Sequence, residues 1–212
     1  MIMMIRVDES IRREYGIELY TTTMTVKVTH DYDIEPLLSE LRHRLRESSK
    51  DKIKDNPVVR ALRDFYWRLG IDPTKVRPSS EALLRRFLSN GSIPRINNVV
   101  DAGNIASIET LVPIGIYDLD KINGSLMLRF ALNGEIFIDI SGNEHVLTGK
   151  EIVLADDNGI VHLFPHRDAL RTSVKDDTTH ILIVGCSVDG IEYDLARYAV
   201  NRTVELINIL SK

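Results

Sequence analysis

Between Ile93 and Ile122 the chain reads IPRINNVVDAGNIASIETLVPIGIYDLDKI. Its polar residues Asn97, Asn98, Asp101 and Asn104 fall close together on a short helical or turn segment. Amide side chains offer donors and acceptors at once, and a carboxylate among them fixes which way they point. Interleaved with Ile96, Val99, Val100, Ile105, Ile108, Leu111 and Ile114, this set reads as the lining of a pocket. The same residues also suit a capped turn, because Asn and Asp favour helix starts and Asx turns.

A second cluster, His166, Arg167, Asp168 and Arg171, follows a predicted strand, where a loop can face the first segment. A guanidinium grips a carboxylate or phosphate through two parallel hydrogen bonds, and Asp168 would hold it in place. Arg167 and Arg171 are therefore the candidate anion anchors. The competing reading is a set of exposed ion pairs worth about 0–1 kcal/mol each. His166, with an ordinary pKa of about 6.5, suits a general base or a water-orienting group; beside Pro165 a purely structural histidine is the alternative. Asp118 opens the turn Tyr117–Asp118–Leu119–Asp120 and suits a cap or a ligand contact. Asp118, Asp120, Asp156 and Asp157 lack EF-hand spacing and no two histidines form HExxH, so no metal is expected. The absence of a Walker A loop, a GxSxG elbow and a GxGxxG turn removes the usual signatures of ATP-driven ligation, elbow-serine hydrolysis and dinucleotide binding, and no cofactor is expected.

The elements that must position these residues follow from periodicity and turn chemistry. Met3–Val7 and Leu19–Val28 read as strands that pair or edge a sheet. Glu35–Ser48 sets Leu37, Leu38, Leu41 and Leu45 opposite Arg42, Arg44 and Arg46, an amphipathic helix followed by a charged linker to Asn56. Pro57 starts a second helix, ending at Gly70, and a third follows Pro78 and ends at Asn90–Gly91. From Ser125 strands dominate: Ser125–Ala131, Glu135–Ile140, Ile152–Leu154, Ile160–Phe164 and His180–Cys186, separated by Asn-Gly, Ser-Gly and Asp-Asn-Gly turns. A helix from about Ile191 to Leu210 closes the chain. The fold class is α+β, a mixed and largely antiparallel sheet packed with helices, because no regular strand–helix alternation supports a doubly wound fold. Residues 1–55 form N-terminal strands and an amphipathic helix packed on a main domain over 56–212, as one compact unit.

With 212 residues and 43% hydrophobic content the chain can bury one well-packed core. No secretory signal or membrane-length apolar run is seen, which predicts a cytoplasmic protein that does not enter a membrane. Cys186 is the single cysteine, in a core-strand context, so a buried inert thiol is expected. A net charge of −4 excludes a global basic footprint. Any RNA contact must be local, with Arg42, Arg44, Arg46, Lys50, Lys52 and Lys54 as the candidate stretch and a solvated helix face as the alternative.

From about Pro94 to Thr179 the sequence resembles the tRNA-editing domain of the beta chain of phenylalanyl-tRNA synthetase. The resemblance is carried by Arg95 to Asp101, by Asp118, by Gly124–Glu135 (GSLMLRFALNGE), and by Val174 with Thr178–Thr179. It implies a free-standing relative that holds the amino-acid part of a mischarged tRNA in a closed pocket and hydrolyses its ester, with specificity set by pocket shape. It also implies a pocket of Asn97, Asn98, Asp101, Asn104, Pro113 and Gly115, with Asn104 and His166 as catalytic candidates and Arg167, Asp168 and Arg171 as substrate anchors. The implied partner is the tRNA acceptor end or an aminoacyl-tRNA, and no DNA. Several positions depart from the family pattern: Gly103 replaces a Thr, Gly115 a His, and Phe164–Asp168 a Met-Gly-Gly turn. The family's acidic residue falls near apolar Ile183. These departures keep open a non-catalytic binder of a small amino-acid-like or nucleoside ligand in the same pocket.

Overall fold

The computed structural model describes residues 5–212. In chain order the elements are β1 (Arg6–Val7), α1 (Glu9–Tyr15), β2 (Glu18–Thr25), α2 (Glu35–Arg44), α3 (Pro57–Arg68), α4 (Ser79–Asn90), α5 (Asn98–Thr110) and β3 (Ile114–Asp118). There follow β4 (Met127–Phe130), β5 (Ile136–Ile138), β6 (Glu144–Val146), β7 (Ile152–Asp156), β8 (Gly159–Phe164), β9 (Arg167–Asp168), β10 (His180–Ser187) and α6 (Tyr193–Leu210). The class is the expected one, α+β with mostly antiparallel pairing; β1 with β4 is the parallel exception among the described pairs.

The strands form a sheet in the order β1-β4-β7-β8-β9, a second in the order β2-β10-β3, and the hairpin β5-β6. Strand β10 organises the middle sheet. It pairs along its whole length with β2 and on its other edge with β3. Its residues alternate as the pleat requires: Ile181 and Ile183 join a core with α2, α4, α5 and α6, whereas Leu182, Val184 and Cys186 join a core with α1, α3 and the five-stranded sheet. Burial leaves Cys186 8% exposed and pushes its thiol up to about 12, so the thiol is inert. Strand β7 is likewise buried at every residue. Ile152 and Leu154 face the second core and Val153 and Ala155 a smaller one under the hairpin.

Tight contacts explain how the helices seat. At Gly185 of β10 an added Cβ would fall 2.8 Å from Val200 Cγ2 and 2.9 Å from the Ala196 carbonyl oxygen, so α6 packs there only against glycine. Gly91 ends α4 at a φ of 67°, the left-handed cap that glycine supplies without strain.

Several expectations change. Of the two readings for the first strands, pairing or edging a sheet, the second holds: α1 intervenes, β1 edges the five-stranded sheet beside β4 and β2 edges the middle sheet beside β10. Met3 and Met4 of the first predicted strand lie outside the described residues. The charged linker holds a 3-10 helix, Lys50–Asp55, whose Ile53 is buried. Glu81, in the first turn of α4, is fully buried and receives Arg63 (Nε 2.9 Å, Nη2 2.6 Å) and Arg85 (2.7 Å). Where a short helical or turn segment was expected, helix α5 runs for thirteen residues, and strand β3 and hairpin strand β6 were not predicted.

Helix α5 lacks an amphipathic stripe because ten of its thirteen residues are buried, on every face. Its polar start is satisfied internally. The Asn97 side chain caps it, accepting from the N–H groups of Val99 and Val100. Asn98 accepts from Thr29 N (2.9 Å) and donates to Lys27 O (3.0 Å) and Ser211 Oγ (3.0 Å), tying the helix to the end of β2 and to the C-terminus. Asp101 accepts from the Tyr32 hydroxyl (2.6 Å), Arg95 Nε (2.8 Å) and Ile96 N (2.9 Å).

Asp101→Ala leaves those three donors without their acceptor. It should cost about 2–3 kcal/mol, read as a fall of roughly 5–10 °C in Tm by calorimetry. An unchanged Tm would contradict the clamp.

Candidate functional site

Between the two larger sheets, against α3, α4 and α5, the fold leaves a cavity of about 190 Å³. A water needs roughly 10–15 Å³ by the same kind of measure, so the space suits a small organic group. Leu62, Phe65, Leu128, Leu154, Phe164 and Val184 give it apolar walls. The polar lining includes Asn104 and Ser107 of α5, His162 of β8, His166 of the following turn and Asp168 of β9. A second cavity of about 160 Å³ shares Asn104, Ile114 and Asp168 with the first and is completed by residues such as Ile96, Val100, Ile116 and Val174.

The four polar residues singled out in the 97–104 segment therefore separate. Asn97, Asn98 and Asp101 are buried in the capping and clamping bonds just described and contribute to neither cavity. They hold α5 in place. Asn104 comes one turn after Asp101 along the same helix, and among the described residues its amide has no hydrogen-bond partner; it faces both cavities. Pro113 and Gly115 line the larger cavity.

The second cluster divides as well. Arg171 is taken up by Asp156, by the Ile160 (3.2 Å), Gly159 (2.9 Å) and Lys121 (3.1 Å) carbonyls, and lines neither cavity. Arg167 turns to Asp139 (3.2 Å) and His145 (3.0 Å) and is likewise absent from both linings. The candidate anion anchors are thus engaged with the protein's own acceptors. Asp168 does reach both cavities, where its Oδ1 meets His162 Nδ1 at 2.7 Å. His166 lines the larger cavity with its Nδ1 buried and unpartnered. Burial, with the charge of Arg167 added, drives its pKa down to about 4. At neutral pH the ring is an uncharged hydrogen-bonding group and a weaker base than an ordinary histidine.

Two residues of the site went unnoticed in sequence. His162 sits in an apolar strand, and only its partner six residues later, across the β8–β9 hairpin, reveals its use. Tyr117 is fully enclosed. Burial raises its pKa well above 10, and Asp168 adds to the rise both as a neighbouring charge and as hydrogen-bond acceptor. Tyr117 also explains Gly115: both point to the same side of β3, and a Cβ at 115 would run into the Tyr117 hydroxyl. A side chain at 115 and a tyrosine at 117 exclude each other. Gly103 fits for a parallel reason, since a Cβ there would lie 2.7 Å from Ile116 Cδ1.

Of the other candidates, Asp118 caps the turn, accepting from Asp120 N (3.0 Å) and from Thr178 Oγ1 (2.8 Å). In the basic stretch Arg42 bonds the Gly91 carbonyl (2.8 Å) and Glu35, Arg44 pairs with Glu109, and Arg46 lies against Glu47. No group of three or more His, Cys, Asp or Glu is arranged to hold a metal among the described residues. No helix among them is long and apolar enough to cross a membrane.

Residues 61–211 match the B3/4 domain family. The phenylalanine–tRNA ligase beta subunit of Mycoplasma genitalium is 30% identical over 197 residues, 90% of this chain but 22% of that protein. That of Nocardia farcinica is 35% identical over 114 residues, 54% of this chain and 13% of its own length. The chain thus spans a quarter or less of these relatives. An N-terminal fragment of the phenylalanyl-tRNA synthetase beta subunit from Pyrococcus horikoshii has the same fold, with a TM-score of 0.50 at 16% identity over 98% of this chain and 49% of that one.

Two outcomes are expected. His166 should titrate near 4 by NMR. Its folded pKa lies below its unfolded value near 6.5, so its contribution to stability is present above 6.5 and lost as pH falls from there through 4. The wild-type minus His166→Asn difference in urea midpoint should follow that window, and a His166 pKa above 6 would contradict the assignment. Gly115→Ala should destabilise the fold, and Tyr117→Phe, which removes the colliding hydroxyl, should recover part of the loss in a double-mutant cycle. Strict additivity would contradict the collision.

Proposed function

Because the chain belongs to the B3/4 domain family, we propose that it receives the aminoacyl end of a tRNA and hydrolyses the ester of a mischarged one, acting in trans. One observation carries the proposal: Asn104, the amide left without a partner, stands where an apolar cavity and a second, adjoining cavity share a wall. An aminoacyl ester has two halves, a side chain and a ribose, on either side of the carbonyl that must be attacked. Leu62, Phe65, Leu128 and Phe164 would surround the side chain, and the space near Ile96, Val100 and Val174 would take the ribose. The Asn104 amide would then donate to the carbonyl oxygen as negative charge develops there.

The beta subunits of phenylalanine–tRNA ligases among the relatives support a tRNA ligand. Binding would not rest on bulk charge, since the chain is acidic and several arginines of its basic stretch are paired. Side-chain selection would come from cavity shape. A walled apolar space discriminates a methylene by roughly 10- to 200-fold.

Purified protein should release tyrosine from Tyr-tRNA(Phe) faster than the uncatalysed rate, and Asn104→Ala should slow the single-turnover rate by roughly 100-fold. Failure to deacylate any member of a broad panel of aminoacyl-tRNAs would refute the proposal.

A further inference from the structure

The chain neutralises its buried acids with arginine. Glu81 meets Arg63 and Arg85, Asp101 meets Arg95, Asp139 meets Arg167, Asp156 meets Arg171 and Glu135 meets Arg129. Glu109 has Arg44 and Arg202. Asp118 is satisfied by a hydroxyl and a backbone N–H. Asp168 is half-exposed rather than buried: it lines both cavities, and among the described residues its ion-pair partner is His162 alone.

A carboxylate can only accept, so the 2.7 Å contact requires that His162 carry its proton on Nδ1. In the neutral ring Nε2 is then the basic nitrogen. Among the described residues it has no partner, and the ring it belongs to lines the larger cavity. Tyr117 stacks edge-on against the ring, with centroids 6.3 Å apart, and Phe164 does the same from its own strand at 5.8 Å. The orientation is fixed by two aromatic contacts and a hydrogen bond. The titratable or charged groups recorded around this pair are Tyr117 of β3 and His166 of the turn, the first held protonated and the second held neutral near pH 7.

We propose that His162 is the general base of this site and Asp168 its positioning residue. The inference rests on ester hydrolysis as the reaction. A water oxygen forms a bond to the ester carbonyl carbon while one of its protons passes to His162 Nε2. The imidazolium so formed is stabilised by the Asp168 carboxylate, which no arginine competes for. The tetrahedral adduct collapses by breaking the bond between the carbonyl carbon and the ribose oxygen, and that oxygen takes the proton back from Nε2. Free amino acid and a tRNA ending in a hydroxyl leave. The Tyr117 ring packs edge-on against His162 and keeps its own proton beside the carboxylate.

The experiment uses two probes on the full chain, Tyr-tRNA(Phe) and the p-nitrophenyl ester of tyrosine, each in single turnover across pH 5 to 9. His162→Gln should lower the rate at least about 100-fold on any probe the wild type turns over. Asp168→Asn should lower kcat more than it changes KM and move the acid limb of the profile to lower pH, with Asp168→Glu recovering part of the loss. Near-wild-type rates for His162→Gln, or an unmoved acid limb in Asp168→Asn, overturn the base while leaving tRNA deacylation standing. Turnover of the small ester alone, still dependent on His162, supports the base and refutes the tRNA substrate. No turnover of either probe overturns both. Independently of activity, nitrogen chemical shifts of His162 in the wild type should report the tautomer protonated at Nδ1; the opposite tautomer would overturn the proposal without any variant having to fold.

Discussion

Helix α5 is buried on nearly every face, and so its polar start must find all of its partners inside the protein. An unmet buried donor or acceptor costs about 1–3 kcal/mol. Asn97, Asn98 and Asp101 meet that demand together, and each bond they make fixes the helix against something different: its own first turn, the end of β2, the C-terminus, Tyr32 and Arg95. The direction of Asn104 is a consequence. Once the first turn is clamped, the next one has no freedom to rotate, and an amide without a partner is presented to the cavities. The same clamp decides where β3 starts, and with it the position of Gly115 and Tyr117.

Strand β10 supplies the other half of the arrangement. By sending alternate residues into two separate cores it holds the helical layer on one side and the five-stranded sheet on the other. The cavity lies where the second core is incompletely filled, under Val184 and between α3 and the β8–β9 hairpin. Its chemistry is therefore built on strands and a helix rather than on loops, which is the condition for holding a reacting group within a fraction of an ångström. The exception is His166, in the hairpin turn, and burial keeps that ring uncharged.

Much of the fold was legible in the sequence, for reasons that also explain what was not. Helices α2, α3 and α4 each have one wet face, and strands β4, β5, β7, β8 and β10 lie beside turns of glycine type, so periodicity locates them. Helix α5 has no wet face and no period to read. Strand β3 contains Gly115, which weakens any strand signal. The resemblance to the synthetase domain grouped residues that the structure divides into a clamp and a cavity lining. Asn97, Asn98 and Asp101 belong to the first and Asn104 to the second. His162 was invisible because its meaning depends on Asp168 across a hairpin, a pairing that register alone creates. Arg167 and Arg171 read in sequence either as anion anchors or as members of ion pairs, and in space they pair with Asp139 and Asp156.

The measurement closest to the centre of this account is a crystal structure of the protein with a non-hydrolysable amide analogue of 3′-tyrosyl-adenosine. The aromatic group should lie among Leu62, Phe65 and Leu128, the ribose toward Ile96 and Val174, the carbonyl oxygen within hydrogen-bond distance of the Asn104 amide, and a water between the carbonyl carbon and His162 Nε2. An analogue bound elsewhere, or seated in the cavity with its carbonyl turned away from Asn104, would contradict it.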